Sequence, residues 1–205
     1  MSRPRPPVDR LLYFTDAIVA IAATLLVLPL VDEAGTFFTA HPPPPTTEFI
    51  SEHTAGLLAF AISFVVIVRL WAVHHRLFAS VIAADGLLVT LDLLWAATIV
   101  FLPLPTEITA SSGNDDRAAI ALYVGTMLAS SLVMLAVVVH LRRTADLATE
   151  RPSLSAITAV TLLFAVALVV GVLLASYLPL LLLLLSGVLG QLLEGRLDSR
   201  GAERS

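Results

Sequence analysis

The stretch LLYFTDAIVAIAATLLVLPLV, from Leu11 to Val31, carries a single charged residue, Asp16. Crossing roughly 30 Å of hydrocarbon takes about 20 residues of helix, so this run is long enough to span a membrane. It is too long for the apolar core of a cleavable leader and contains a charge, so it reads as a retained first helix. Similar runs recur outward from it, and six spans are expected at about 11–32, 51–74, 84–104, 118–141, 154–176 and 179–195. In lipid the backbone must satisfy its own hydrogen bonds, which makes these runs helices. The separators are polar or proline-rich: His41 to Pro45, Ser111 to Arg117, and Arg142 to Pro152. Only Ser176-Tyr177-Leu178-Pro179 divides the last two spans. Pro179 removes a backbone donor and disfavours helix at Leu178, so a tight turn is expected there.

Composition agrees with an all-α integral membrane protein. Of the 205 residues 58% are hydrophobic and 14% charged, against about a quarter charged in a soluble domain. The chain has no cysteine, which excludes a disulfide framework and thiolate metal sites. Its twelve basic residues are all arginine, and they are unevenly placed. Arg3, Arg5 and Arg10 precede span one, and Arg76 follows span two. Arg142, Arg143 and Arg151 lie between spans four and five, and Arg196, Arg200 and Arg204 follow span six. The connection after span one holds Asp32, Glu33 and Glu48, and the one after span three holds Glu107, Asp115 and Asp116 against Arg117. The positive-inside rule then puts both termini in the cytoplasm.

Three ionisable residues fall inside spans. Asp16, Arg69 and Asp92 each lie roughly 10 Å from the cytoplasmic ends of spans one, two and three, at about 1.5 Å per residue. Such charges are costly in lipid unless they face one another or water. A polar cluster of the three is expected, with Arg10, Trp71, His74 or His75 nearby. It reads either as an ion-pair network that fixes helix packing or as a proton relay or gating element. Helical periodicity divides span one into two stripes: Ile21, Thr24 or Leu25, and Leu28 on one; Asp16, Ala20, Ala23 and Val27 on the other. The second is small and acidic, which suits packing within the subunit. The first is apolar with one hydroxyl, and Thr24 can bond back to the Ala20 carbonyl.

Arg10-x-x-x-Phe14-Thr15-Asp16 resembles the Arg-x-x-x-Phe-Ser-Asp signature of the lysosomal potassium channel family (transmembrane protein 175). The similarity continues through Trp71-x-x-His74-His75-Arg76-Leu77-Phe78 and the Phe101-Leu102-Pro103-x-Pro105 exit of span three, covering the first half of the chain. Thr15 replaces the usual serine, one hydroxyl for another. The resemblance implies a single transmembrane channel domain over residues 1–205, ending in a short polar tail at 197–205. It further implies that the first helix lines a pore in a symmetric homotetramer of a prokaryotic plasma membrane. Carried over by position, Ile21, Leu25 and Leu28 form the constriction, and Thr24 contributes to cation selectivity. Arg10, Phe14, Thr15 and Asp16 brace the pore helix against tryptophan and histidine, here Trp71, His74 and His75.

The function implied is a leak-type, potassium-selective cation channel, with K⁺ as the permeant ion, no cofactor and no resident metal. The alternatives are a proton-permeable channel or a small secondary transporter. No nucleic-acid partner is expected. An enzyme is not expected either, since Gly-x-Ser-x-Gly and phosphate-binding glycine loops are absent. Adjacent histidines make a poor metal pair on a helix, and no His-Glu-x-x-His occurs. The Thr-Val-Gly-Tyr-Gly filter is missing, so selectivity comes from another device. A transporter would show an inverted repeat or a pair of broken helices. No repeat is visible, though Pro29 and Pro103 are each placed to interrupt a span.

Overall fold

The computed structural model describes residues 8–112, 116–144 and 146–176. The sixth span and the 197–205 tail lie outside them. The described residues form eight helices: α1 Val8–Leu25, α2 Leu28–Phe37, α3 Thr46–Glu52, α4 Thr54–Phe78, α5 Gly86–Phe101, α6 Pro103–Ser111, α7 Arg117–Arg143 and α8 Leu154–Leu174. Five stretches are long and apolar enough to cross a membrane: Val8–Phe37, Thr54–Phe78, Gly86–Ser111, Arg117–Arg143 and Leu154–Leu174.

Two spans are longer than the sequence suggests, for the same reason. Pro29 and Pro103 break the regular hydrogen-bond ladder without ending the span. Before Pro29 the chain tightens at Leu26–Val27, where Val27 N–H reaches the Thr24 carbonyl at 3.3 Å. Helix then resumes as α2 with the proline in its first turn. Before Pro103, Leu102 N–H bonds the Ile99 carbonyl at 3.1 Å and Thr106 N–H bonds the Leu102 carbonyl at 3.1 Å. A proline is tolerated in a first turn because its missing N–H has no intrahelical partner there. The Phe101–Pro105 segment is therefore a kink within span three, not its exit. The structure thus contains the pair of interrupted spans that the sequence only allowed for. Span two starts at Thr54 because the chain breaks at His53, which closes α3 and opens α4.

Helix starts are set by side chains. Asp85 accepts from Leu88 N–H at 2.8 Å, Asp116 from Ala118 N–H at 2.8 Å, and Ser153 from Ala156 N–H at 3.3 Å, each satisfying a donor that the helix leaves open. α8 ends with Ala175 in the left-handed region, φ 49°, and Ser176 N–H closes on the Gly171 carbonyl at 3.0 Å. That termination just precedes the turn expected between spans five and six.

α7 packs against α8, α5 and α6, while α1 packs against α5 and α4. The main apolar core gathers Val19, Ile67, Trp95, Ile99, Met127 and Phe164, and a smaller one gathers Val8, Phe78, Leu88, Val137 and Leu141. At one end of the bundle the connections after spans two and four meet. Ile82 N–H donates to the Leu147 carbonyl at 2.9 Å and Thr149 N–H to the Ser80 carbonyl at 2.8 Å. His140 Nε2 reaches Asp85 Oδ2 at 2.9 Å beside them. At the other end Glu33, Glu52, His53 and Glu107 line one cavity. The arginine-bearing connections share one end and the acid-bearing connections the other.

Candidate pore helix and its polar anchor

One face of α1 is buried. Thr15, Val19 and Ala22, with Leu26 just beyond, follow each other at three- and four-residue steps and are all buried. The opposite face is bare and apolar: Phe14 is 55% exposed, Ile21 59%, Leu25 38% and Leu28 50%. The sequence reading placed the bare stripe correctly and the packed stripe one position too far round. Ala20 and Val27 are exposed, and the packed stripe begins at Thr15, not Asp16. One residue is 100° of rotation, and the contact that fixes the rotation lies on another helix, at Asp92. Thr24 is exposed and its hydroxyl donates to the Ile21 carbonyl at 2.8 Å. The bond runs back three residues, not four to Ala20.

Asp92 is fully buried and its two oxygens are divided between two helices. Oδ2 accepts from Thr15 Oγ1 at 2.6 Å and Oδ1 from His74 Nε2 at 2.5 Å. The Thr15 hydroxyl also lies 3.1 Å from the Leu11 carbonyl. A buried carboxylate without such partners costs several kcal/mol, and bonds to a charged group are worth about 1.5–3 kcal/mol each. His74 is itself fully buried, its ring held between Trp95 at 4.0 Å and Phe78 at 4.4 Å, both nearly parallel. Asp16 makes a separate link, accepting from Trp71 Nε1 at 2.7 Å, and the Trp71 ring rests 5.3 Å from that of His75.

The expected cluster therefore splits and loses its arginines. Asp92 joins Thr15 and His74, while Asp16 joins Trp71. Arg69 forms no hydrogen bond or ion pair among the described residues, and the exposed Arg10 forms none either. Arg69 stands two positions from Trp71, about 200° around α4, so it points away from the face carrying the anchor. Phe14 has no part in the polar links and lies on the bare stripe. Sequence reasoning missed Trp95 and gave Phe78 no role beyond its place in the Trp71–Phe78 motif. Their spacing was available, since Trp95 is three residues from Asp92 and Phe78 four from His74, which places each on its partner's helix face. It also missed a second, uncharged layer, in which Thr106 Oγ1 donates to Ser63 Oγ at 2.9 Å and Ser63 Oγ meets Tyr123 Oη at 2.8 Å.

Fold and site together define a multi-pass helical membrane protein whose first helix is anchored on one face and bare on the other. A family model described as endosomal/lysosomal potassium channel TMEM175 matches residues 10–103. A potassium channel of Streptomyces collinus is 33% identical over 159 residues, covering 74% of this chain and 73% of that one. The chain belongs to the TMEM175 family. The endosomal/lysosomal proton channel TMEM175 of Gallus gallus is 37% identical over 109 residues, half of this chain but 21% of that protein. Among solved structures, the fold matches a lysosomal potassium-selective channel TMEM175 homologue from Chamaesiphon minutus. The TM-score is 0.67 at 24% identity, covering 90% of this chain and 96% of that chain.

Proposed function

We propose that this protein is a leak-type, potassium-selective cation channel of a prokaryotic plasma membrane, assembled as a homotetramer with α1 of each subunit around the axis. The observation that carries this reading is the bare stripe of Phe14, Ile21, Leu25 and Leu28 on a helix whose opposite face is held by Asp92. Family membership supports a pore as what the stripe faces, and the Streptomyces relative, a potassium channel, supports potassium as the permeant ion. One helix cannot enclose a pathway, so copies are required, and closed symmetry supplies them. Ile21, Leu25 and Leu28 then form a hydrophobic neck that a hydrated cation crosses only when the neck wets or widens. Thr24 adjoins that neck with its lone pairs available to a partly dehydrated ion.

The arginine asymmetry puts both termini, and the end where Ser80 meets Thr149, in the cytoplasm. The two proline interruptions are a feature of transporters; family membership favours the channel. The vertebrate relative is described as a proton channel, so proton permeation through the same neck is the second reading.

Single-channel recording from purified protein in planar bilayers tests this, with K⁺, Na⁺ and H⁺ gradients imposed in turn. Ile21→Asn should raise conductance severalfold and reduce K⁺ over Na⁺ discrimination, because an amide lets water wet the ring. Thr24→Ala should weaken selectivity with a smaller effect on conductance. An Ile21→Asn channel that conducts and selects like the parent overturns Ile21 as the constriction, and slow saturable exchange without unitary currents overturns the channel.

A further inference from the structure

At the arginine-bearing end of the bundle, α4, α7 and α8 leave a cavity of about 310 Å³ between them. Leu70, Val73 and Leu77 line it from α4, Val138 from α7 and Val160 from α8, and Trp95 reaches it from α5. The hydroxyls in its wall are already engaged. Ser131 Oγ lies 2.8 Å from Thr161 Oγ1, and Ser153 Oγ accepts from Ala156 N–H at 3.3 Å. A buried water needs about two to four polar partners, so this space suits hydrocarbon. Val73 is 44% exposed and Val160 41%, and between them the cavity opens onto the outer surface of the subunit. Along α8 it runs from Ser153 to Phe164, roughly 16 Å at the helical rise. That is about the depth of one leaflet, half of roughly 30 Å of hydrocarbon.

The rim of this apolar cavity is basic. Counted from Arg69, Val73, Leu77 and Leu70 fall roughly 40°, 80° and 100° around α4, and the buried His74 roughly 140°. The lining stripe therefore lies between the packed face and Arg69, with Arg76 roughly 20° to the far side of Arg69 on the same outer edge. Arg69 is half-buried and meets no acid among the described residues. An arginine at that depth is costly unless it finds an anion or water. Its Cα–Cβ bond tilts toward the N-terminus of α4, which is the middle of the membrane, so retreat to the near surface works against helix geometry. Across the mouth, Arg142 spends one donor on the Pro152 carbonyl at 2.9 Å, and its guanidinium has five. The exposed Arg151 stands beside Pro152. The acids of that connection, Asp146 and Glu150, are two against these four arginines.

We propose that the cavity takes an acyl chain of an acidic phospholipid from the leaflet at that end, with the headgroup phosphate held between Arg69 and Arg76 on one side and Arg142 and Arg151 on the other. Hydrocarbon alone fills the space equally well from any lipid. The arginines supply the preference for negative charge, as basic pockets between membrane helices do for phosphorylated headgroups. Each arginine near the surface contributes about fivefold in affinity for an anionic lipid. The site lies on the far side of α4 from the Asp16–Trp71 link, so it stands whether or not α1 lines a pore.

The test uses the full chain in phosphatidylcholine vesicles doped with phosphatidylglycerol or phosphatidylcholine whose acyl chain carries bromine, a contact quencher of tryptophan. The protein has two tryptophans, Trp71 and Trp95. Trp95 is fully buried within the subunit, so a brominated chain reaches it by entering the cavity. Quenching should saturate, with its half-point at least about fivefold lower in mole fraction for the glycerol headgroup than for choline. R69Q combined with R76Q should bring the two half-points together, and R69K with R76K should keep most of the difference. Trp95→Phe should leave a Trp71 signal with no headgroup preference. Ala156→Phe, which fills the cavity from its wall, should remove the saturable quenching by either lipid. Equal half-points in the parent overturn the acidic lipid, and a preference that survives R69Q with R76Q overturns the arginines as its holders. Saturable quenching that is absent from the parent, or that persists in Ala156→Phe, overturns the cavity as the chain's place; its absence from the parent would mean that a protein segment covers the opening.

Discussion

The two longest spans, Val8–Phe37 and Arg117–Arg143, are equally apolar and are used in opposite ways. Half of the most apolar window of α7 is buried inside the subunit, against 28% for the first span. α7 buries residues on several sides, among them Ile120, Met127, Ser130, Ser131 and Val137, with the Ser131 hydroxyl 2.8 Å from that of Thr161 on α8. Lipid is as apolar as leucine, so helices associate through close packing and a few hydrogen bonds rather than by escaping solvent. α7 follows that rule around much of its circumference and acts as the scaffold. α1 follows it on one stripe only, fixed by a single buried carboxylate, and leaves the other stripe for a surface outside the subunit.

The comparison can be broken most severely at the anchor. Asp92→Ala strands the fully buried His74 and leaves the Thr15 hydroxyl only the Leu11 carbonyl, and removing one partner from such a site costs about 3–5 kcal/mol. The variant should lose most of its thermal stability in detergent and much of its oligomer yield. A variant that assembles normally but carries no current would make the anchor part of conduction. Met127→Ala strikes the scaffold. It empties part of the main core and should cost about 2–5 kcal/mol by the usual large-to-small scale, with ion selectivity unchanged in the protein that remains folded. Loss of selectivity at equal folding would show that α7 and the permeation path are coupled.

Ile21→Asn sharpens the contrast from the other side. The side chain is 59% exposed in the subunit, so the unfolding free energy should stay within about 0.5 kcal/mol of the parent while permeation changes. A melting shift as large as that of Met127→Ala would place Ile21 in packing. The smallest effect is expected where α8 ends. Ala175 occupies the left-handed region, which disfavours any residue with a Cβ by roughly 1–2 kcal/mol. Ala175→Gly should therefore stabilise the protein by about 1 kcal/mol, read as a higher midpoint in thermal or denaturant unfolding. No gain would mean that the turn is held by contacts the backbone preference does not reach.

Hydropathy and the placement of arginine were enough to mark the five described spans and to say which connections share an end. Both follow from the chain alone, because each span must satisfy its own backbone and arginine biases which end stays inside. The 3.6-residue period was likewise enough to put Ile21, Leu25 and Leu28 on one stripe. It could not say which neighbouring stripe packs, since Thr15 and Asp16 differ by one residue and both carry polar oxygens. That choice belongs to tertiary structure. Thr15 meets Asp92 across 77 positions of sequence, and only the rotation of α1, α4 and α5 about one another brings His74 to the same carboxylate and turns Arg69 away. The prolines at 29 and 103 divide in the same manner. The sequence determined that the ladder must break there, because a donor is missing. Whether the chain turns out of the membrane or continues as a kinked span is not decided by the missing donor: after Pro103, α6 packs against α4 and α7, whereas α2, after Pro29, buries no residue.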